Sequence, residues 1–136
     1  EITERLLSGI GSGDYDFIIV NYANADMVGH TGVWDAAVAA AEVIDGCLDQ
    51  ISTTTLEAGG ALVITADHGN IEETRDASGA PQTQHTTSPV PLVLVGERWH
   101  GASLRNGILA DVAPTICELM GLPPGPAMTG ESLIED

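Results

Sequence analysis

The chain has 136 residues, the size of one domain or of part of one. It carries 20 acidic and 4 basic residues, for a net charge of −16, and all four basic residues are arginines. Such a charge repels nucleic acids and anionic membranes, so we expect neither as a partner. It would also repel a phosphate ester, so a phosphate-handling protein of this composition needs bound cations or basic groups supplied from elsewhere.

Hydropathy and cysteine content predict a cytoplasmic protein. Hydrophobic residues make up 43% of the chain, enough for a core, but no apolar run is long enough to cross a membrane. The first residues do not combine a basic head with an apolar stretch, so no secretory signal is expected. Cys47 and Cys117 fall in helix-like apolar segments. We expect them to be small buried hydrophobes in a reducing compartment rather than disulfide partners.

The chain begins with a helical pattern and then a strand pattern. Residues 1–10 have apolar side chains at near-helical spacing, which predicts an amphipathic helix that the glycines at 11–14 interrupt. Residues 17–20 are a continuous apolar run, typical of a strand buried on both faces. Residues 24–32 are polar and contain glycine, which predicts a connection.

A long helix and a second strand follow. The helix is predicted from about Trp34 to about Leu56, and Gly59–Gly60 should end it. Residues 61–65 repeat the buried-strand pattern, so strand, helix and strand predict a unit with parallel strands and a right-handed crossover. The helix has one apolar stripe formed by Trp34, Ala37, Ala41, Ile44, Leu48 and Ile51.

The second half alternates a long polar segment with short regular elements. Residues 66–89 predict a functional loop, because unstructured segments of this length are otherwise uncommon in compact domains. Residues 92–95 predict a third strand and residues 109–119 a short helix. The tail from Gly125 suggests no chemistry. Too few helices are predicted to cover a parallel sheet on both faces, so residues 1–136 are expected to be part of a larger α/β domain.

Five potential metal ligands follow or precede the predicted strands. Asp26 and His30 follow the first strand, Asp67 and His68 follow the second, and His85 lies before the third. Because ligands gather beyond the carboxyl ends of parallel strands, we expect the two pairs to converge. If His85 reaches the same edge, the third strand runs antiparallel to the others. Carboxylate and imidazole together suit Zn²⁺, Mn²⁺, Fe²⁺ or Co²⁺.

Other polar residues are weaker candidates for the functional site. Ser88 could be a nucleophile with His85 as its base, but no orienting acid accompanies them in that loop. His100 lies beside a tryptophan and is interpreted as a surface or packing residue. Arg75 and Arg98 are the arginines that could approach the site, although surface roles are favoured for both. Each ligand pair also has a simpler interpretation as a surface pair, a cap or a turn.

Four segments together carry a recognisable pattern: DFIIVNYANADMVGHTG, VITADHGNIEE, QHTTSPVPLVLVG and LADVAPTICELMGL. In this order they resemble the last part of a cofactor-independent phosphoglycerate mutase, of the alkaline phosphatase superfamily. The resemblance extends from about residue 14 to about residue 132. The segment ADHGN alone is shared with other members of the superfamily, and the order of the four segments makes the resemblance specific.

The resemblance implies a fold, an activity and a metal content. The fold is a three-layer αβα, alkaline-phosphatase-like domain with a mostly parallel sheet, of which this chain is the carboxyl-terminal portion. The family interconverts 3-phosphoglycerate and 2-phosphoglycerate through a phosphoserine and uses two divalent ions, commonly Mn²⁺. By resemblance, Asp26, His30 and His85 bind one ion, and Asp67 and His68 bind the other.

The family pattern also includes parts that this chain does not contain. Its nucleophilic serine and a further metal-binding aspartate lie near the amino terminus, and its substrate-binding arginines lie largely in an inserted domain. It has a lysine in its site, whereas this chain has none. We therefore expect no catalytic nucleophile in this chain, and partners limited to a phosphoglycerate and the rest of the parent chain. The alternatives are a non-catalytic metal-binding or interaction module, and a phosphatase or phosphopentomutase of the same superfamily.

Overall fold

The computed structural model describes residues 1–135, which contain helices, two single-turn 3₁₀ segments and four short strands. The 3₁₀ segments are Glu97–Trp99 and Leu109–Asp111. The helices are α1 Ile2–Ser12, α2 Asn24–Gly29, α3 Trp34–Glu57 and α4 Val112–Leu119, and the strands are β1 Leu62–Thr65, β2 Leu92–Val95, β3 Ser103–Leu104 and β4 Ile134–Glu135.

Helix α3 organises the first half of the chain, and its predicted bounds are confirmed to within one residue. Helices α1 and α2 both pack against it. Ala37 and Ile51 of the predicted stripe are buried, but Ala40 is buried in place of Ala41 and Trp34 is 59% exposed. The buried stripe is thus rotated slightly from the predicted one. Gly59 follows the helix at φ +71°, a left-handed conformation that suits glycine and ends the helix as predicted.

Strands β1 and β2 form an antiparallel ladder in which Leu62 pairs with Val95 and Thr65 with Leu92. The antiparallel direction expected for the third predicted strand is therefore confirmed. Because the end of β1 faces the beginning of β2, the loop after Thr65 and the loop before Leu92 emerge at the same edge. This edge carries the candidate site.

The prediction of a strand at residues 17–20 is wrong within the described part of the chain. These residues belong to no ladder, and Phe17, Ile18, Ile19 and Val20 are exposed. The expected parallel pairing with β1 is consequently not formed, and both ladders of residues 1–135 are antiparallel. The physical reason is that an apolar run becomes a strand only when a neighbouring strand pairs with its backbone groups.

Residues 24–32 differ from the sequence-based expectation, and the tail has a packing role about which the sequence made no prediction. The connection predicted at residues 24–32 contains helix α2, which is too short to show an apolar periodicity. The tail after Gly125 returns to the molecule, where β4 pairs with β3 and Leu133 is 4% exposed. Leu133 donates its N–H to the hydroxyl of buried Thr115, so the tail is attached to α4. No helix within residues 1–135 is long and apolar enough to cross a membrane.

Candidate metal centre

Helix α2 places Asp26 and His30 one helical turn apart. His30 is the residue that caps the carboxyl end of the helix, and its N–H donates to the carbonyl of Asp26. Side chains four residues apart lie on the same face of a helix. The Nε2 atom of His30 consequently lies 3.3 Å from Oδ1 of Asp26, which is the geometry the sequence spacing predicts.

The loop before β2 brings His85 to this pair. Its Nε2 lies 3.2 Å from Oδ1 of Asp26 and 3.3 Å from Nε2 of His30. One ligand atom from each of the three residues lies within 4.8 Å of the other two. Two imidazole nitrogens and one carboxylate oxygen directed at a common point fit a divalent first-row transition metal ion.

The tautomer of His30 also fits metal binding. Its Nδ1 lies 2.7 Å from the carbonyl oxygen of Thr83. A carbonyl can only accept a hydrogen bond, so Nδ1 carries the proton, and in the neutral ring Nε2 keeps a free lone pair facing Asp26 and His85. This arrangement, in which a backbone carbonyl orients a ligand imidazole, is the usual outer contact of metal-binding histidines.

Asp67 and His68 lie beside this cluster and do not enter it. Nε2 of His68 is 3.6 Å from Oδ2 of Asp67, whose side chain is 85% exposed. The His68 ring stacks on His85, with ring centroids 3.6 Å apart and planes inclined by 18°. The five residues therefore lie at one edge as two adjacent groups, the cluster of Asp26, His30 and His85 and the pair Asp67–His68. The groups touch where the His68 ring stacks on His85.

Asn70 is a residue of this edge for which the sequence suggested no role beyond a turn. It is 6% exposed, and its side-chain amide donates to Oδ1 of Asp26 at 2.7 Å. This hydrogen bond is the main cause that lowers the pKa of Asp26; partial burial opposes it, and the nearby imidazoles of His30 and His85 lower the pKa further. Asp26 is thus held as a carboxylate, the form that binds a metal.

Glu72 is a second residue that pattern reading missed. It accepts hydrogen bonds from the N–H of Asn70, at 2.7 Å, and from the hydroxyl of Thr86. The hydroxyl contact is the main cause that lowers the pKa of Glu72. Thr86 also donates its N–H to the carbonyl of Gly69. Glu72 therefore connects the loop after β1 to the residue that follows His85. A glutamate in a polar loop shows no periodicity, so only its place in the segment NIEE could have drawn attention to it.

The weaker candidates make contacts away from the cluster. The hydroxyl of Ser88 donates to Glu73 rather than to His85. It therefore does not form the hydrogen bond that a nucleophile–base pair of Ser88 and His85 would need. Arg75 donates to the carbonyl of Gly79 within its own loop. Arg98 lies over the ring of its neighbour Trp99, 5.4 Å from the centroid. These contacts agree with the surface roles favoured for both arginines.

Comparisons with known proteins give related results at the levels of family, sequence and structure. A family model described as "Metalloenzyme superfamily" matches residues 1–124. The chain is 55% identical over 134 residues to the 2,3-bisphosphoglycerate-independent phosphoglycerate mutase of Syntrophotalea carbinolica, and 54% identical over 137 residues to that of Rhodopirellula baltica. These matches cover 98% and 99% of the chain, which spans about a quarter of the length of these curated relatives (26% and 25%).

A solved structure has the same fold over nearly the whole chain. It is a crystal structure of Leishmania mexicana phosphoglycerate mutase at low cobalt concentration, with a TM-score of 0.87 and 32% sequence identity. The match covers 98% of this chain and 27% of that one. It confirms the predicted fold class, an alkaline-phosphatase-like α/β domain that the chain contains in part.

Proposed function

This chain belongs to the metalloenzyme superfamily, and from that premise we propose that it is the carboxyl-terminal part of a 2,3-bisphosphoglycerate-independent phosphoglycerate mutase. The resemblance carried by the four sequence segments is confirmed by relatives that are more than half identical to the chain. The observation that carries the proposal is the cluster of Asp26, His30 and His85, found in a chain so similar to these mutases.

The proposed activity belongs to the parent protein. That protein, an isomerase of glycolysis in the cytoplasm, interconverts 3-phosphoglycerate and 2-phosphoglycerate through a phosphoserine. The nucleophilic serine, a further aspartate ligand and the substrate-binding arginines are contributed by the rest of the parent chain, so residues 1–136 alone are inactive. The high negative charge of this portion supports a dependence on cations, because a phosphate ester would otherwise be repelled.

We assign the metal ligands as two sets. Asp26, His30 and His85 hold one divalent ion, and Asp67 and His68 contribute to a second, with Mn²⁺ proposed for both. When bound, the ions supply positive charge that stabilises a transferring phosphoryl group and lowers the pKa of a serine hydroxyl. Within the chain, the carbonyl of Thr83 orients His30, and the Asn70 amide keeps Asp26 ionised.

The test is an assay of the full-length protein with 3-phosphoglycerate and Mn²⁺. Formation of 2-phosphoglycerate, detected through its dehydration to phosphoenolpyruvate by an added enolase, is expected. Release of free phosphate without isomerisation would instead support a phosphatase. Binding of Mn²⁺ with no turnover of any phosphoglycerate would support a non-catalytic module.

A second test concerns the unequal ligand sets. Calorimetry of this chain with Mn²⁺ is expected to show one site, because three of its residues converge on the first ion and only Asp67 and His68 remain for the second. Binding should weaken as the pH falls, since imidazole must be neutral to act as a ligand. Two equally tight sites would contradict the assignment.

A further inference from the structure

Asn70 is a buried amide that spans two distant parts of the chain. It is 6% exposed, and its Nδ2 donates to Oδ1 of Asp26 at 2.7 Å and to the main-chain carbonyl of the same residue at 3.3 Å. Asp26 lies 44 residues earlier in the sequence, on helix α2. Both contacts therefore join the loop after β1 to the helix that carries two of the proposed ligands.

The oxygen that Asn70 binds is the one that faces the histidines. Oδ1 of Asp26 is the atom that lies 3.3 Å from Nε2 of His30 and 3.2 Å from Nε2 of His85. The terminal torsion of an aspartate is broad, so a free carboxylate would sample many orientations. A carboxylate oxygen has two lone pairs, so one can accept from Asn70 while the other remains directed at the cluster.

Helix α2 is shaped to admit the amide. Gly29, which is buried, lies against Asn70, and a Cβ atom built there would overlap the amide oxygen and lie 2.8 Å from the amide carbon. Its backbone is helical, so glycine is not required for conformation. The absence of a side chain at position 29 is what leaves room for Asn70 beside Asp26.

We propose that Asn70 is a positioning residue of the first ion site, which holds the Asp26 carboxylate toward His30 and His85. The amide occupies space that a side chain at position 29 would fill, so this arrangement depends on Gly29. The inference rests on the proposed function, because it takes Asp26 to be a metal ligand. It deepens that function by linking the two sites: the loop that carries Asp67 and His68 also orients a ligand of the other ion.

The experiment measures Mn²⁺ binding to the full-length protein by calorimetry and the visible absorption spectrum with Co²⁺. Asn70→Ala is expected to weaken Mn²⁺ binding at the site that contains Asp26 by about 10- to 100-fold, the range for losing an outer contact of a metal ligand. The Co²⁺ spectrum should change as well, because the ligand is reoriented. Asn106→Ala, which removes an exposed asparagine, is the matched control and should change neither.

Gly29→Ala tests the same geometry without deleting the amide. It should weaken the same binding step, because the added methyl group displaces Asn70. In the double variant the methyl group has no amide to displace, so its affinity should equal that of Asn70→Ala to within about twofold. If the losses of Mn²⁺ affinity in the two single variants instead multiply in the double variant, the proposed contact between Gly29 and Asn70 is not the cause and the inference is overturned. If Asn70→Ala does not fold, Gly29→Ala alone decides, and unchanged Mn²⁺ affinity in it overturns the inference.

Asp26→Ala separates this inference from the proposed function. It should abolish one Mn²⁺ binding step, which identifies the step that belongs to this site. If both steps survive in Asp26→Ala, the metal assignment itself has failed. If one step disappears there but is unchanged in Asn70→Ala with an unchanged Co²⁺ spectrum, only the positioning role has failed.

Discussion

Two aspartates of this chain accept hydrogen bonds from N–H groups in opposite kinds of surroundings. Asp111, before α4, is 6% exposed and accepts from the N–H groups of Ile108 and Glu131 at 3.0 and 2.9 Å, with Arg105 3.6 Å away. Asp26 has a side chain that is 38% exposed, and among the described residues its carboxylate accepts from the Asn70 amide and faces two imidazoles.

The difference separates a structural carboxylate from the one that we propose as a metal ligand. In both cases hydrogen bonds are the main cause that lowers the pKa of the aspartate, so a lowered pKa alone does not identify the site. Both oxygens of Asp111 accept from main-chain N–H groups: Oδ2 from Ile108 in the adjacent turn, and Oδ1 from Glu131, a contact that joins the tail to the start of α4. Asp26 keeps an oxygen directed at His30 and His85, where a cation can bind.

The largest expected effect is at the exposed cluster. His85→Ala in the full-length protein should weaken Mn²⁺ binding at the Asp26 site by more than the roughly 10- to 100-fold typical of an outer contact, because a ligand is lost. Calorimetry measures this affinity. His100→Ala is the matched control, since His100 is also exposed and lies outside the cluster. Unchanged affinity in His85→Ala would remove His85 from the ligand set.

Substitutions in the buried network that joins Thr115 to Asp111 and Leu133 should change the stability of the fold rather than metal binding. Thr115 is 1% exposed, donates to the carbonyl of Asp111 and accepts the N–H of Leu133. Thr115→Val keeps the shape but leaves that N–H without its partner, which should lower the free energy of unfolding by about 1–3 kcal/mol. Denaturant unfolding measures the loss, and Thr53→Val on the exposed side of α3 is the control. An equal loss in both variants would contradict the assigned network.

The pH dependence of stability should distinguish Asp111 from an exposed aspartate. Its pKa in the folded protein lies below the ordinary value of about 3.9, because the N–H groups of Ile108 and Glu131 favour the ionised form. The ionised group therefore contributes stability that is present above pH about 4 and is lost as the pH falls through the lowered pKa.

Asp111→Asn should consequently be less stable than the wild type at neutral pH, and the difference should narrow below pH 4. Thermal unfolding of the metal-free protein across pH 2–7, a range of about five units around the aspartate pKa, measures this. Asp35→Asn, at an exposed position of α3, controls for loss of a carboxylate. A difference that stays constant with pH would show that the carboxylate charge of Asp111 is not the stabilising feature.

The smallest expected effect is that of salt, which should raise the thermal stability of the fold and weaken Mn²⁺ binding at the cluster. Raising KCl from about 0.1 to about 1 M shortens the Debye length from about 10 to about 3 Å. Screening of the −16 charge should raise the thermal midpoint of the fold by relieving self-repulsion. It should weaken Mn²⁺ binding by about two- to fivefold, because the cation is attracted less. Affinity that rises with salt would contradict an electrostatic contribution at the cluster.

Sequence patterns predicted that Asp26 and His30 share one face, and they predicted two of the three strands correctly. The i, i+4 spacing of Asp26 and His30 was sufficient to place both on one helical face, and the position of His85 implied the antiparallel direction of β2. The apolar run at residues 17–20 was misassigned because no strand of residues 1–135 pairs with it, and an apolar run by itself does not show whether a partner is present. Asn70 and Glu72 were not assigned a role, since a polar residue in a loop has no periodicity that would show what it contacts.

The sequence by itself determined the residue types of the proposed ligands, the helices with strong apolar periodicity and the family, because these depend on residue identity and on spacing along the chain. Only the tertiary structure decided which oxygen of Asp26 faces His85, that Asn70 holds that oxygen, and that Leu133 of the tail donates its N–H to Thr115. Each of these contacts joins groups at least 18 residues apart. Local propensity does not specify such contacts, which form only when packing brings the partners within hydrogen-bond distance.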